Sequence, residues 1–168
     1  MPFELDTDMP RELAPLAWLI GRWEGAGVLG YPGDPGIASV NFGQEIICSH
    51  DDRPFLEWRS TTWLLDEAGN QVEPLTSEVG YWRPLPDGEV EFVLAHPTGI
   101  IEMYYGNTTP AKIELRTDGV LRSPTATEYS AATRLYGYVN SNLMWAMDMA
   151  AFGQPLQSYA SAECKRVS

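Results

Sequence analysis

The chain of 168 residues carries 11 basic and 23 acidic side chains, a formal charge of −12, and at this length it is expected to form one domain with a radius of gyration of roughly 15 Å. Such a surplus of negative charge repels phosphate backbones and anionic lipid surfaces, so neither nucleic acid nor membrane is an expected partner. The hydrophobic fraction of 44% supplies enough apolar surface to offset chain entropy, which sets the chain apart from disordered acidic segments.

Residues 1–12 are expected to be a mobile segment, with the domain occupying 13–168. The first residues lack the basic start of a secretion signal, and no apolar run approaches the roughly 18 residues of a membrane span, so the expected location is the cytoplasm. The spacing of Leu13, Leu16, Trp18, Leu19 and Ile20 predicts one or two helical turns ending before Gly21. Everything later reads as strand. Alternation places Val90, Phe92 and Leu94 on one face of their run, and Leu143, Trp145, Met147 and Met149 on one face of theirs. Turn signals at 66–70, 86–88, 96–99, 118–119 and 140–142 separate the runs. Ten strands result, near 21–30, 38–49, 54–65, 76–84, 88–95, 99–107, 111–116, 120–137, 142–151 and 156–167. Short links without intervening helices imply an antiparallel meander that must close or stack to remove its edges. The expected fold is therefore all-β, an up-and-down barrel of about ten strands with a short N-terminal helix to plug one end. A barrel of that width exceeds the eight-stranded kind whose own side chains fill it, so a cavity for a small ligand is expected.

The residues that could carry chemistry are few. Cys48 and Cys164 read as buried, reduced and inert. His50 falls at a hairpin tip and reads as an exposed loop residue, while His96 reads as a structural residue of its Pro-Thr-Gly turn. Trp58, Trp63, Tyr104, Tyr105, Trp145, Met147 and Met149 read as core or cavity lining. Ser49, His50 and Asp51 are adjacent on a turn and cannot form the relay of a hydrolytic triad.

The stretch Gly21-Arg22-Trp23-Glu24-Gly25-Ala26-Gly27 fits G-x-W-x-G-x-G. An inward Trp23 there would close a barrel end, and Gly21, Gly25 and Gly27 would permit strong bending and close approach of neighbouring chain. It is followed by Gly30-Tyr31-Pro32, Arg53-Pro54-Phe55-Leu56, Glu78-Val79-Gly80-Tyr81-Trp82-Arg83-Pro84, Leu94-Ala95-His96-Pro97-Thr98-Gly99-Ile100 and Gly153-Gln154-Pro155-Leu156-Gln157. In that order, from about residue 13 to the C-terminus, these motifs resemble the nitrobindin family. The resemblance implies a ten-stranded barrel like that of fatty-acid-binding proteins, with haem b as cofactor held by one axial histidine near the start of the last strand. It also implies isomerisation of peroxynitrite to nitrate by the ferric form and nitric-oxide binding by the ferrous form.

The family's axial histidine follows the Pro-Leu-Gln segment by one residue, and that position here is Tyr159. Thr76 stands where relatives commonly place a pocket histidine, and Thr127 where they place a lysine near the haem edge. Imidazole is a good iron ligand at neutral pH, whereas a phenol must lose a proton of pKa about 10 to bind. The expected function is accordingly a nitrobindin-like barrel whose partner is a small hydrophobic molecule, without the family's usual haem chemistry. The alternative is a ferric-haem protein ligated by Tyr159 that keeps peroxynitrite isomerase activity.

Overall fold

The computed structural model describes residues 6–30, 39–151 and 153–168. Ten antiparallel strands form one closed barrel, each hydrogen-bonded to its sequence neighbours, with first and last paired. They are β1 (Gly21–Leu29), β2 (Val40–Ser49), β3 (Leu56–Leu65), β4 (Gln71–Pro84), β5 (Glu89–His96), β6 (Ile100–Thr109), β7 (Lys112–Arg122), β8 (Tyr129–Val139), β9 (Asn142–Ala151) and β10 (Gln157–Arg166). Closure leaves no strand edge unpaired. Among the described residues no helix is long and apolar enough to cross a membrane.

The helix expected before Gly21 is a 3₁₀ helix over Arg11–Leu19. Pro15 inside it has no N–H to offer the Arg11 carbonyl, so the tighter form replaces an α-helix. Leu13, Leu16, Ala17, Trp18 and Leu19 are buried on the barrel mouth where β1 begins. Arg166, at the end of β10, donates from Nη2 to the Trp18 carbonyl at 2.8 Å and from Nη1 to the Ile20 carbonyl, while its guanidinium lies 4.1 Å from the Trp23 ring centroid. Met9, within the segment expected to be mobile, is only 8% exposed. Residues 1–5 of that segment lie outside the described residues, as do Tyr31 and Pro32 of the second motif.

Three expected boundaries move. The strand β4 starts at Gln71 rather than near 76, because residues 71–74 are exposed throughout and show no alternation to read. The expected turn at 118–119 is a bulge inside β7: Thr117 pairs with Tyr104 and Gly119 with Met103, so Asp118 is extra. The segment 120–137 is not one strand; its first residues finish β7, 123–128 form a loop, and β8 begins at Tyr129.

The Trp23 ring is fully buried, and its Nε1 donates to the Leu19 carbonyl at 2.9 Å. Gly25 and Gly27 lie where β10 crosses closest; a Cβ on Gly25 would sit 2.0 Å from the Glu163 carbonyl oxygen, and one on Gly27 would sit 2.1 Å from that of Ser161. Above this floor lies an aromatic belt. Trp82 and Phe92 stack at 3.7 Å, with Trp58 and Tyr136 packed edge-on against both. Trp63 and Tyr105, expected in the core or lining, are not there: Trp63 lies over Gly43 and Tyr105 stands opposite Glu91 and Arg116, each a position off the buried parity of its strand.

Candidate functional site

Consecutive hairpins alternate between the two barrel ends, so the 3₁₀ helix and the links 50–55, 85–88, 110–111 and 140–141 share one end. Among the described residues, the links 66–70, 97–99, 123–128 and 153–156 share the other end, opposite the helix. Tyr159, Thr76 and Thr127 all belong to this second end.

Between the aromatic belt and this second end lies a polar network. Arg134 on β8 faces inward with its side chain 5% exposed. Its Nε donates to the Tyr104 hydroxyl at 3.0 Å, its Nη1 to Glu78 Oε1 at 2.9 Å and to the Tyr136 hydroxyl at 3.0 Å. Its Nη2 donates to Glu78 Oε2 at 2.9 Å and to Glu102 Oε1 at 3.5 Å. Those five bonds use every donor a guanidinium has. Trp58 Nε1 donates to Glu78 Oε1 at 3.1 Å, and the hydroxyls of Tyr104 and Tyr129 both donate to Glu102 Oε2. His96 Nε2 contacts Glu102 Oε1.

Burial by itself pushes the Glu102 carboxyl up, but the hydrogen bond from His96 and the charge of Arg134 outweigh it and hold the group at about 2. Glu78 is likewise below its ordinary value, its burial overcome by Arg134. An ionised Glu102 only accepts, so His96 Nε2 carries the proton of that bond. Burial and the adjoining carboxylate keep the phenols of Tyr104 and Tyr129 protonated. A second polar group sits deeper on the β2 side: Gln44 donates to Ser60 Oγ at 2.8 Å and accepts from Trp145 Nε1 at 2.8 Å.

Tyr159 sits at a bulge of β10, between Ser158 and Ala160, and its half-buried ring packs against the buried cluster. Burial raises its phenol above the ordinary value and Arg134 pulls the other way, with a net upward shift. Thr76 is exposed; its N–H donates to Thr62 Oγ1 at 3.2 Å, and its carbonyl accepts from the same hydroxyl at 3.1 Å. Thr127 is exposed in the 123–128 loop, where its carbonyl accepts from Arg122 Nη1 at 3.4 Å. The three positions therefore share an end of the barrel but no hydrogen bond.

His96 is not merely a turn residue. It closes β5 with its side chain 15% exposed and bonded to Glu102. His50 lies in the β2–β3 link at the helix end, its side chain also 15% exposed rather than open to solvent, and its Nδ1 accepts from the Asp52 N–H at 3.2 Å. Cys48 and Cys164 are buried free thiols, raised by burial, Cys164 to about 12.

Glu78, Glu102 and Arg134 escaped the reading of the sequence. The available signal was parity: Glu78 shares a strand face with Trp82, Glu102 with Tyr104, and Arg134 with Tyr136, and a charge on an aromatic-bearing face marks an interior pair.

Residues 12–166 match the THAP4-like, heme-binding beta-barrel domain. A protein of Kineococcus radiotolerans named ferric nitrobindin-like protein is 50% identical over the full length of both chains. A protein of Nocardioides sp. named peroxynitrite isomerase is 43% identical over 99% of each. The crystal structure of Rv2717c from M. tuberculosis superimposes with a TM-score of 0.84 at 34% identity, covering 96% of this chain and all of that one.

Proposed function

This chain belongs to the nitrobindin family of THAP4-like, heme-binding β-barrel domains, and from that premise we propose that it is a binding barrel that takes a small apolar molecule at the end opposite its helix, without histidine-ligated haem chemistry. The observation that carries the reading is the placement of the two histidines the chain has. His50 lies at the helix-plugged end, and the protonated Nε2 of His96 is committed to Glu102. At the start of β10, the position the family resemblance assigns to the iron ligand, the side chain is the phenol of Tyr159, which its surroundings hold protonated. This donor set does not fit a haem held through imidazole.

One observation favours haem ligated by Tyr159: Arg134 acts to lower the phenol. That cation is, however, already paired with Glu78 and Glu102.

Titration of hemin into the wild-type protein, Tyr159→Phe and Tyr159→His, followed through the Soret and charge-transfer bands, separates the readings. The expected result is stoichiometric five-coordinate haem in Tyr159→His and none in the wild type. A stoichiometric tyrosinate spectrum in the wild type, lost in Tyr159→Phe, would overturn the proposal in favour of a ferric-haem protein, and peroxynitrite isomerisation would then be assayed on it.

A further inference from the structure

The polar group around Gln44 on the β2 side holds two hydrogen-bond donors with no acceptor among the described residues. We infer that these donors, the second amide hydrogen of Gln44 and the hydroxyl of Ser60, form a subsite for the carbonyl oxygen of an uncharged ligand such as a ketone, ester or amide. The inference rests on the reading that the barrel takes a small apolar molecule, and it names the polar group which that molecule carries.

Counting partners identifies the donors. Indole Nε1 of Trp145 can only donate, and it stands 2.8 Å from Gln44 Oε1, which fixes the orientation of the Gln44 amide. Oε1 also accepts from Cys164 Sγ at 3.5 Å, so both of its lone pairs are used. The amide nitrogen then faces Ser60 Oγ at 2.8 Å and gives it one of its two hydrogens. The other amide hydrogen and the Ser60 hydroxyl hydrogen meet no acceptor among the described residues. Gln44 is only 4% exposed and Ser60 3%, so bulk water does not serve them, and buried donors in folded proteins find partners. Thr62, on the same face of β3, shows the contrast: its Oγ1 accepts from the Thr76 N–H and donates to the Thr76 carbonyl.

The pair lies within reach of the end opposite the helix. By the parity of their strands, Ile100 on β6 and Trp145 and Met149 on β9 face the barrel axis, yet all three are only partly buried. Solvent therefore reaches the axis-facing wall as far as Trp145, the ring bonded to Gln44. A carbonyl oxygen has two lone pairs, matching the two donors. Neither donor is charged, and two neutral hydrogen bonds do not offset the desolvation of a buried carboxylate. The fitting group is thus an uncharged carbonyl, while a plain hydrocarbon satisfies neither donor.

The test binds 2-nonanone, isotopically labelled at its carbonyl carbon, to an excess of protein and reads the carbonyl stretch by infrared difference spectroscopy. In the wild type the band is expected below its position in hexane, the direction that hydrogen bonding gives. In Ser60→Ala it is expected to move back toward that position. Displacement of the fluorophore N-phenyl-1-naphthylamine by the ketone is expected to weaken there by about 2- to 10-fold, the worth of one neutral hydrogen bond. Thr62→Val, which removes a hydroxyl already spent on Thr76, is expected to leave the band unmoved; both variants are first checked for a cooperative melt. A wild-type band at the hexane position, or one that Ser60→Ala leaves in place or Thr62→Val shifts equally, overturns the inference, while the bound ketone leaves the apolar-ligand reading standing. If neither the fluorophore nor the ketone binds, the apolar-ligand reading itself fails and takes this inference with it.

Discussion

Replacing Arg134 by methionine keeps most of the side-chain volume but removes the guanidinium that bonds both Glu78 and Glu102. Removing one partner of a buried ion pair costs about 3–5 kcal/mol, because the remaining charge is left uncompensated. At about 2–4 °C per kcal/mol for a chain of this size, the melting temperature at pH 7 is expected to fall by about 6–20 °C. The pH dependence is the sharper signature. In the wild type Glu102 titrates at about 2 against an ordinary 4.5, a depression worth about 3 kcal/mol that is fully present above pH 4.5 and is lost as pH falls toward 2. In Arg134→Met, Glu78 loses the cation that outweighs its burial and shifts upward by desolvation, while Glu102 keeps its hydrogen bond from His96. The folded state then binds protons more readily than the unfolded one, and stability rises as pH is lowered from 7 to 5. Thermal melts followed by circular dichroism at pH 7 and pH 5 measure both quantities. The triple variant Arg134→Met, Glu78→Gln, Glu102→Gln should recover part of the loss at pH 7, since no charge is left buried. A loss below about 1 kcal/mol at pH 7, the value of an exposed pair, or a variant that follows the wild-type pH slope, would refute the account of Arg134 as the interior counter-charge.

Two further outcomes follow from packing. Cys48 and Cys164 are buried with raised thiol pKa values, so neither should react with Ellman's reagent at pH 8 in the native protein, while both should react in guanidinium; reaction of either in the native state would contradict its burial. Gly25→Ala would force a Cβ against the Glu163 carbonyl oxygen, and the β1–β10 closure should lose about 1–3 kcal/mol or more, read as a lower urea midpoint; an unchanged midpoint would mean that the two strands can part without cost.

Much of the fold was legible because its cause is local. Alternation in 89–94 and 142–149, turn residues at 66–70 and 140–142, and the absence of helical spacing after Gly21 are properties of neighbouring residues. Ten strands joined by hairpins leave closure as the way to pair every edge. Legibility failed where tertiary context overrides local pattern. The exposed start of β4 at 71–74 has no buried face to reveal it, and the bulge at Asp118 presents the residues of a turn inside a paired strand. For His96, the Pro-Thr-Gly that follows pointed to a turn; what distinguishes it is Glu102 across the β5–β6 hairpin.

By itself, then, the sequence determined an acidic all-β barrel, the residues of its glycine and tryptophan motif, and the presence of a phenol at 159. Those depend on composition, on period-two spacing and on motif order. Only the closed barrel decided that Arg134, Glu78 and Glu102, separated by 24 to 56 residues in the chain, share one desolvated space in which five guanidinium donors are spent. The physical reason is that hydrogen-bond saturation and burial depend on distances between strands, which closure sets and no local spacing encodes.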